Sequence, residues 1–162
     1  TAEIGGGATV TVGYAVGNTD ADNTTDTTTS TSEKSLNGTI AFGDVTLGFA
    51  RNTKTVEQNE ADNSTDFISY EDFNSNNFSV TYAISDSLSV SAESVAAKGD
   101  QGNSTGSGMA TDYKYDRTSY GLDYTIASGV ALTASYTDYT QSGTNSTAVS
   151  GSSTMVRVKV SF

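Results

Sequence analysis

Residues 155–162 read Met155-Val156-Arg157-Val158-Lys159-Val160-Ser161-Phe162, an apolar side chain at every second position with charged or small polar ones between. Successive side chains leave a pleated backbone on opposite sides, so this alternation describes a strand with one apolar and one wet face. Seven earlier segments share the design. Val10, Val12, Tyr14 and Val16 alternate with Thr9, Thr11, Gly13 and Ala15, and Leu36, Gly38, Ile40 and Phe42 with Asn37, Thr39 and Ala41. Val45, Leu47 and Phe49 mark a third, Phe78, Val80, Tyr82 and Ile84 a fourth, and Leu88, Val90 and Ala92 a fifth. Tyr120, Leu122, Tyr124 and Ile126, then Val130, Leu132, Ala134 and Tyr136, mark two more. The pattern predicts an all-β chain of eight strands, near 8–16, 35–42, 45–52, 77–84, 88–97, 117–126, 130–139 and 154–162, within a single unit over 1–162.

The connections alternate in length. Gly43-Asp44, Ser85-Asp86-Ser87 and Ala127-Ser128-Gly129 are hairpin-sized and carry the residues tight turns require. Between them lie long polar spans near 18–34, 53–76, 98–116 and 141–153. Short turns on one side and long loops on the other predict an antiparallel up-and-down transmembrane β-barrel, with the short side periplasmic and the long loops extracellular. No segment approaches the ~18 consecutive apolar residues of a membrane helix. A barrel needs none, because its lipid face is carried by alternate residues, which also explains a mean hydropathy of −0.36.

Cysteine and histidine are absent, which removes disulfides, Cys- or His-based nucleophiles and the usual zinc ligands. The net charge of −11 argues against nucleic acid, whose phosphates need a basic face. These absences point away from an enzyme. A paired-carboxylate hydrolase built on Glu93 and Asp123 is the catalytic reading to weigh against that expectation.

Val156, Val158, Val160 and Phe162 resemble the closing strand and terminal Phe of Gram-negative outer-membrane β-barrels, the general porins in particular. The segments Ile4-Gly5-Gly6-Gly7-Ala8-Thr9-Val10 and Tyr124-Thr125-Ile126-Ala127-Ser128-Gly129-Val130-Ala131-Leu132 resemble the strand-turn-strand phrase of general porins of α-proteobacterial type. The resemblance covers nearly all strands and turns but not the long loops. It implies a homotrimer in the bacterial outer membrane, with no cofactor and no reaction. It also implies that Phe162, Val160 and Val158 are read by the barrel-assembly machinery.

The inward residues bear on barrel size. Thr9, Thr11, Thr39, Thr46, Gly48, Ser79, Ser91, Gly121 and Ser135 are too small to plug an eight-stranded lumen. They suit the wall of a wide, water-filled channel of about 16 strands. Thr1 to Ile4, running into Gly5-Gly6-Gly7, reads as the tail of a preceding strand entering a short turn. The expectation is the C-terminal half of a 16-stranded porin, completed by an N-terminal half or by a second chain. Its function would be passive diffusion of small hydrophilic solutes and ions. A small closed barrel for adhesion or envelope structure, and a soluble β-sandwich fibre subunit, are the alternatives.

Aromatic residues are expected to form two girdles: Tyr14, Phe78, Tyr120 and Tyr136 toward the long loops, and Phe42, Tyr82, Tyr124 and Phe162 toward the turns. Parity sends Arg157 and Lys159 inward, where they are expected to face Glu93 and Asp123 across the lumen and set its ion selectivity. Asp20, Asp22, Asp26, Glu33, Glu57, Glu60, Asp62, Asp66, Glu71, Asp72, Asp100, Asp112 and Asp116 fall in the first three long loops. They suggest weakly bound calcium or magnesium bridging to the phosphates of outer-membrane lipid and lipopolysaccharide. An EF-hand is excluded, because Thr25 and Thr31 stand where its Gly and Glu belong.

Overall fold

The computed structural model describes residues 1–4, 7–22, 27–60, 67–102, 111–144 and 146–161. They form a single antiparallel sheet of nine strands whose spatial order is their order in sequence. The strands are β1 (Ala2–Ile4), β2 (Ala8–Asp22), β3 (Thr27–Phe42), β4 (Val45–Glu60), β5 (Phe67–Ser85), β6 (Leu88–Gly102), β7 (Thr111–Ala127), β8 (Val130–Gly143) and β9 (Ser146–Val160). All eight expected strands are present. The ninth is the short β1, which pairs with β2 through Ala2↔Val10 and Ile4↔Ala8.

The strands run much further than the alternation suggests. β2 continues to Asp22 and β3 resumes at Thr27, where a loop over 18–34 was expected. β4 continues to Glu60, β5 begins at Phe67, β6 continues to Gly102 and β7 begins at Thr111. β8 reaches Gly143 and β9 starts at Ser146, so the fourth span shrinks as well. Outside the lipid both faces of a strand meet water, and apolar alternation vanishes while the backbone ladder persists. The Thr- and Ser-rich extensions, such as Thr27-Thr28-Thr29-Ser30-Thr31-Ser32 in β3, retain strand propensity without that period.

Among the described residues nothing packs against the apolar face. Among the described residues Ala97, 9% exposed, is the sole buried hydrophobic one, whereas Tyr14, Phe78, Phe42 and Val156 stand 62–67% exposed. A β-sandwich would cover such a face with a second sheet. The described residues supply no second layer, and an uncovered apolar surface of this extent calls for lipid or a partner.

The slope of the apolar band gives the strand tilt. Val156 on β9 is joined through direct partners Ala134, Leu122, Val90, Tyr82, Val45 and Phe42 to Ala8 on β2. Yet β2 carries its band up to Val16, eight residues (16 − 8) above that line. At ~3.3 Å per residue and ~4.8 Å per strand, about 26 Å of climb over the seven steps from β2 to β9 corresponds to a tilt near 38°. Barrel-closing strands tilt by ~35–45°. At that tilt the seven-residue stretch from Val10 to Val16 is about 18 Å tall.

The short side is stitched by a repeated device. Gly43 and Gly129 occupy the left-handed region, with φ of 55° and 79°, in the β3–β4 and β7–β8 turns. The carbonyls of Asp44, Ser87 and Gly129, each the last turn residue, accept hydrogen bonds from Ala83, Thr125 and Ser161 respectively, at 2.7–2.8 Å. Register shifts at Ala83/Ser85 and Thr125/Ala127 accompany two of these contacts. Such bulges collect at barrel rims, where they increase twist and end pairing.

Candidate functional site

Residues opposite the apolar band form a polar wall. Across its middle run Thr11, Thr39, Gly48, Ser79, Glu93 and Ser119 as successive cross-strand partners, and beneath them Thr9, Ala41, Thr46, Thr81, Ser91 and Gly121. Close approach is built in at Gly48 and Gly121, where a Cβ would collide with the hydroxyls of Ser79 and Ser91. Apart from Glu93, these residues are small and coat the sheet without projecting far from it.

Arg157 and Lys159 lie on this wall, as parity requires, since Val156, Val158 and Val160 are exposed on the other face. Their expected partners are not opposite them. Asp123 pairs with Thr133 and Thr133 with Arg157, so Asp123 and Arg157 share a register line two strands apart, about 10 Å along the same wall. Asp123 accepts a hydrogen bond from Thr133 Oγ1 at 2.8 Å. Glu93 lies on β6, three strands from β9 and four positions above Ser89, the partner of Asp123. The four residues therefore lie on the same side of the sheet. Strands two or three apart at ~4.8 Å spacing stand only ~10–14 Å apart along the wall, too near to face each other across a lumen of about 16 strands.

Glu93 has a different partner, which the sequence reading missed. Arg117 Nη2 donates to Glu93 Oε2 at 2.8 Å, and Asn77 Nδ2 donates to Glu93 Oε1. The Arg117 and Glu93 side chains are 34% and 33% exposed, and Arg117 Nε is buried without a hydrogen-bond partner. A parity signal for Arg117 was available, since Tyr120, Leu122 and Tyr124 face outward and an odd position three residues earlier faces inward. Glu93 and Asp123 are held by different partners, Arg117 and Asn77 for one and Thr133 for the other. Four register positions separate the Glu93 backbone from the Asp123 line, ~13 Å along the strand.

Four aromatic side chains occupy the same face nearer the long-strand end. Phe73 and Tyr113 stack with centroids 6.5 Å apart, and Tyr115 and Tyr139 at 6.3 Å. Tyr113 Oη donates to Glu71 Oε1 at 3.3 Å. Its pKa is raised, first by partial burial, then by the charge and hydrogen bond of Glu71 and the charge of Asp100. Beside Phe73, Lys54 Nζ meets Glu33 Oε1 at 3.4 Å.

The outward aromatics Tyr14, Phe42, Phe78, Tyr82, Tyr120, Tyr124 and Tyr136 are all exposed on the apolar face. Their sorting into two rims is incomplete. Tyr82 lies only four residues below Phe78 and Tyr124 four below Tyr120, ~13 Å along the strand, and the exposed Ile84 and Ile126 lie lower still. Tyr82 and Tyr124 thus stand inside the band, whereas Phe42 ends β3 at the turn. Phe162 lies outside the described residues.

Many acidic residues expected in loops are on strands: Asp20 on β2, Glu33 on β3, Glu57 on β4, Glu71 and Asp72 on β5, Asp100 on β6, and Asp112 and Asp116 on β7. Asp72, Asp100 and Asp112 are successive partners on the outward face, one step beyond the paired Lys98 and Lys114. Among the described residues no group of three or more Asp or Glu converges on a metal position. Asp26, Asp62 and Asp66 lie outside the described residues, as do the side chains of Asp22 and Glu60.

No protein-family model and no curated protein matches the sequence. Among solved structures the chain is similar to a loop L8 deletion mutant of OmpT, an outer membrane protein of Vibrio cholerae, with a TM-score of 0.63 and 17% identity over 98% of this chain and 50% of that one. In-vitro folded OmpT of Vibrio cholerae gives a TM-score of 0.57 at 17% identity, over 88% of this chain and 43% of that one. The chain therefore spans half or less of the solved structures it matches. Single-layer antiparallel topology, strand tilt, an uncovered apolar band and these likenesses agree that the fold is that of an outer-membrane β-barrel, present here as a nine-stranded wall.

Proposed function

We propose that this wall belongs to a water-filled outer-membrane channel, a diffusion porin of general type, through which small hydrophilic solutes and ions pass without chemistry. The observation that carries the reading is the inner face. A closed barrel of eight or nine strands must fill its interior with side chains, and threonine, serine, glycine and alanine leave that volume to water. Two sheet edges also lack partners among the described residues: β9 pairs only with β8, and β2 beyond Val10 pairs only with β3. Unpaired backbone is not tolerated in lipid, so further strands complete the barrel, about 16 in all, from a longer chain or a second one.

The resemblance to α-proteobacterial-type porins extends the proposal to a homotrimer, to assembly machinery that reads Phe162, and to contact with lipopolysaccharide. The open sheet counts against a small closed barrel, and the absence of a covering layer against a fibre subunit. The test is conductance of the complete barrel in a planar bilayer. Stepwise ohmic insertions of nanosiemens size support a channel, and folded, inserted protein that passes no current refutes it.

A further inference from the structure

One register line on the inner face crosses the upper part of the sheet as Gly17, Glu33, Lys54, Phe73, Gly99 and Tyr113. Phe73 and Tyr113 are two strands apart, ~9.6 Å by strand spacing, yet their centroids are 6.5 Å apart. They converge because Gly99 lies between them. A Cβ at residue 99 would overlap the Tyr113 ring, so that ring lies down over the bare backbone with one face turned to the lumen. Tyr139 lies over Gly151 in the same manner.

Next to Phe73 the wall is hollowed into a groove of about 540 Å³, floored by Ala15, Gly17 and Ser35 and edged by Asn52 and the Glu33–Lys54 ion pair. That volume lies within the ~300–1,000 Å³ of small-molecule sites. Covering a glycine with an aromatic explains Tyr113 as a stabilising pair. It does not explain Phe73, whose ring borders the groove and is followed along the same line by an acceptor carboxylate and a donor ammonium.

We infer that this groove is a subsite for neutral pyranose sugars, entered from the extracellular mouth. A pyranose has an apolar C–H face that fits an exposed aromatic face, and equatorial hydroxyls that both donate and accept. Phe73 supplies the platform, with Tyr113 stacked behind it outside the groove, while Glu33, Lys54 and Asn52 supply acceptor, donor and both. The ion pair is neutral as a unit, so it offers hydrogen bonds without selecting a charged solute. Phe73 is five residues beyond Phe78 on β5, ~16 Å along the strand above the outer aromatics, where a solute entering the mouth meets it first. The inference takes its setting from the channel reading.

The test is calorimetric titration of the complete barrel in detergent with maltotriose, and with sorbitol, which has hydroxyls but no pyranose face. Saturable binding of maltotriose and none of sorbitol is expected, with Phe73→Ala weakening it about tenfold or more. Phe73→Tyr, which keeps the platform, should bind normally and controls for folding. Absent maltotriose binding, equal binding of sorbitol, or unchanged affinity in Phe73→Ala overturns the subsite. Conductance measured without sugar separates the two readings. Binding without conductance overturns the channel alone, and conductance without binding overturns the groove alone.

Discussion

The Arg117–Glu93 pair should be an energetically coupled unit of the wall. At about 4 Å between charge centres the Coulomb term is ~1 kcal/mol in water and ~4 kcal/mol at an effective dielectric of ~20. With side chains 34% and 33% exposed, the pair sits between these limits and has lost part of its hydration. Fully exposed pairs contribute ~0–1 kcal/mol, and stripping one partner from a buried pair costs ~3–5 kcal/mol. Allowing for solvent screening, Arg117→Gln should destabilise the barrel by about 1–2 kcal/mol, a five- to thirty-fold shift in the folded ratio. Glu93→Gln should cost a similar amount, since its amide keeps one oxygen for Arg117 or Asn77 and sets its NH2 group against the other donor. The double variant should recover most of the loss. Urea unfolding in lipid vesicles provides the assay, followed by tyrosine fluorescence because the chain has no tryptophan. A coupling energy below ~0.3 kcal/mol, the scatter of additive sites, would refute the reasoning.

Ile40 and Thr39 are neighbours on opposite faces, so Ile40→Arg should destabilise membrane-inserted protein by ~2–4 kcal/mol while Thr39→Arg is tolerated, as read by the same unfolding assay. Gly129→Ala should lower stability by ~1–2 kcal/mol, because φ is 79° there and the new Cβ would press on the Ser161 carbonyl. Arg157→Glu should shift the reversal potential under a salt gradient toward cations; no shift means that Arg157 is remote from the constriction. Tyr113 should ionise above the ordinary tyrosine range in an ultraviolet pH titration, and Glu71→Gln should bring it down by removing the charge that opposes the phenolate.

Faces were legible in the sequence because side-chain direction along a strand is a local property of period two. Val156, Val158 and Val160 outward and Arg157 and Lys159 inward follow from parity alone, as do the tight turns at Gly43-Asp44 and Ser128-Gly129. Hairpin order followed too, since turns of two residues force antiparallel neighbours. Strand length did not. Alternation ends where lipid ends, and the ladder that carries β3 back to Thr27 consists of backbone hydrogen bonds indifferent to side-chain polarity.

The tertiary structure alone decided which residues meet. Register joins positions far apart in the chain, so it set Arg117 beside Glu93, 24 residues away, and placed Asp123 and Arg157 on one wall, either side of Thr133, rather than face to face. It likewise brought Phe73 and Tyr113 together over Gly99, a contact with no local signature. A one-residue slip would invert every face, so the apolar band fixes register modulo two from the sequence. Which of the even registers is taken depends on the turns and rim bulges acting across neighbouring strands, and only the assembled sheet reveals it.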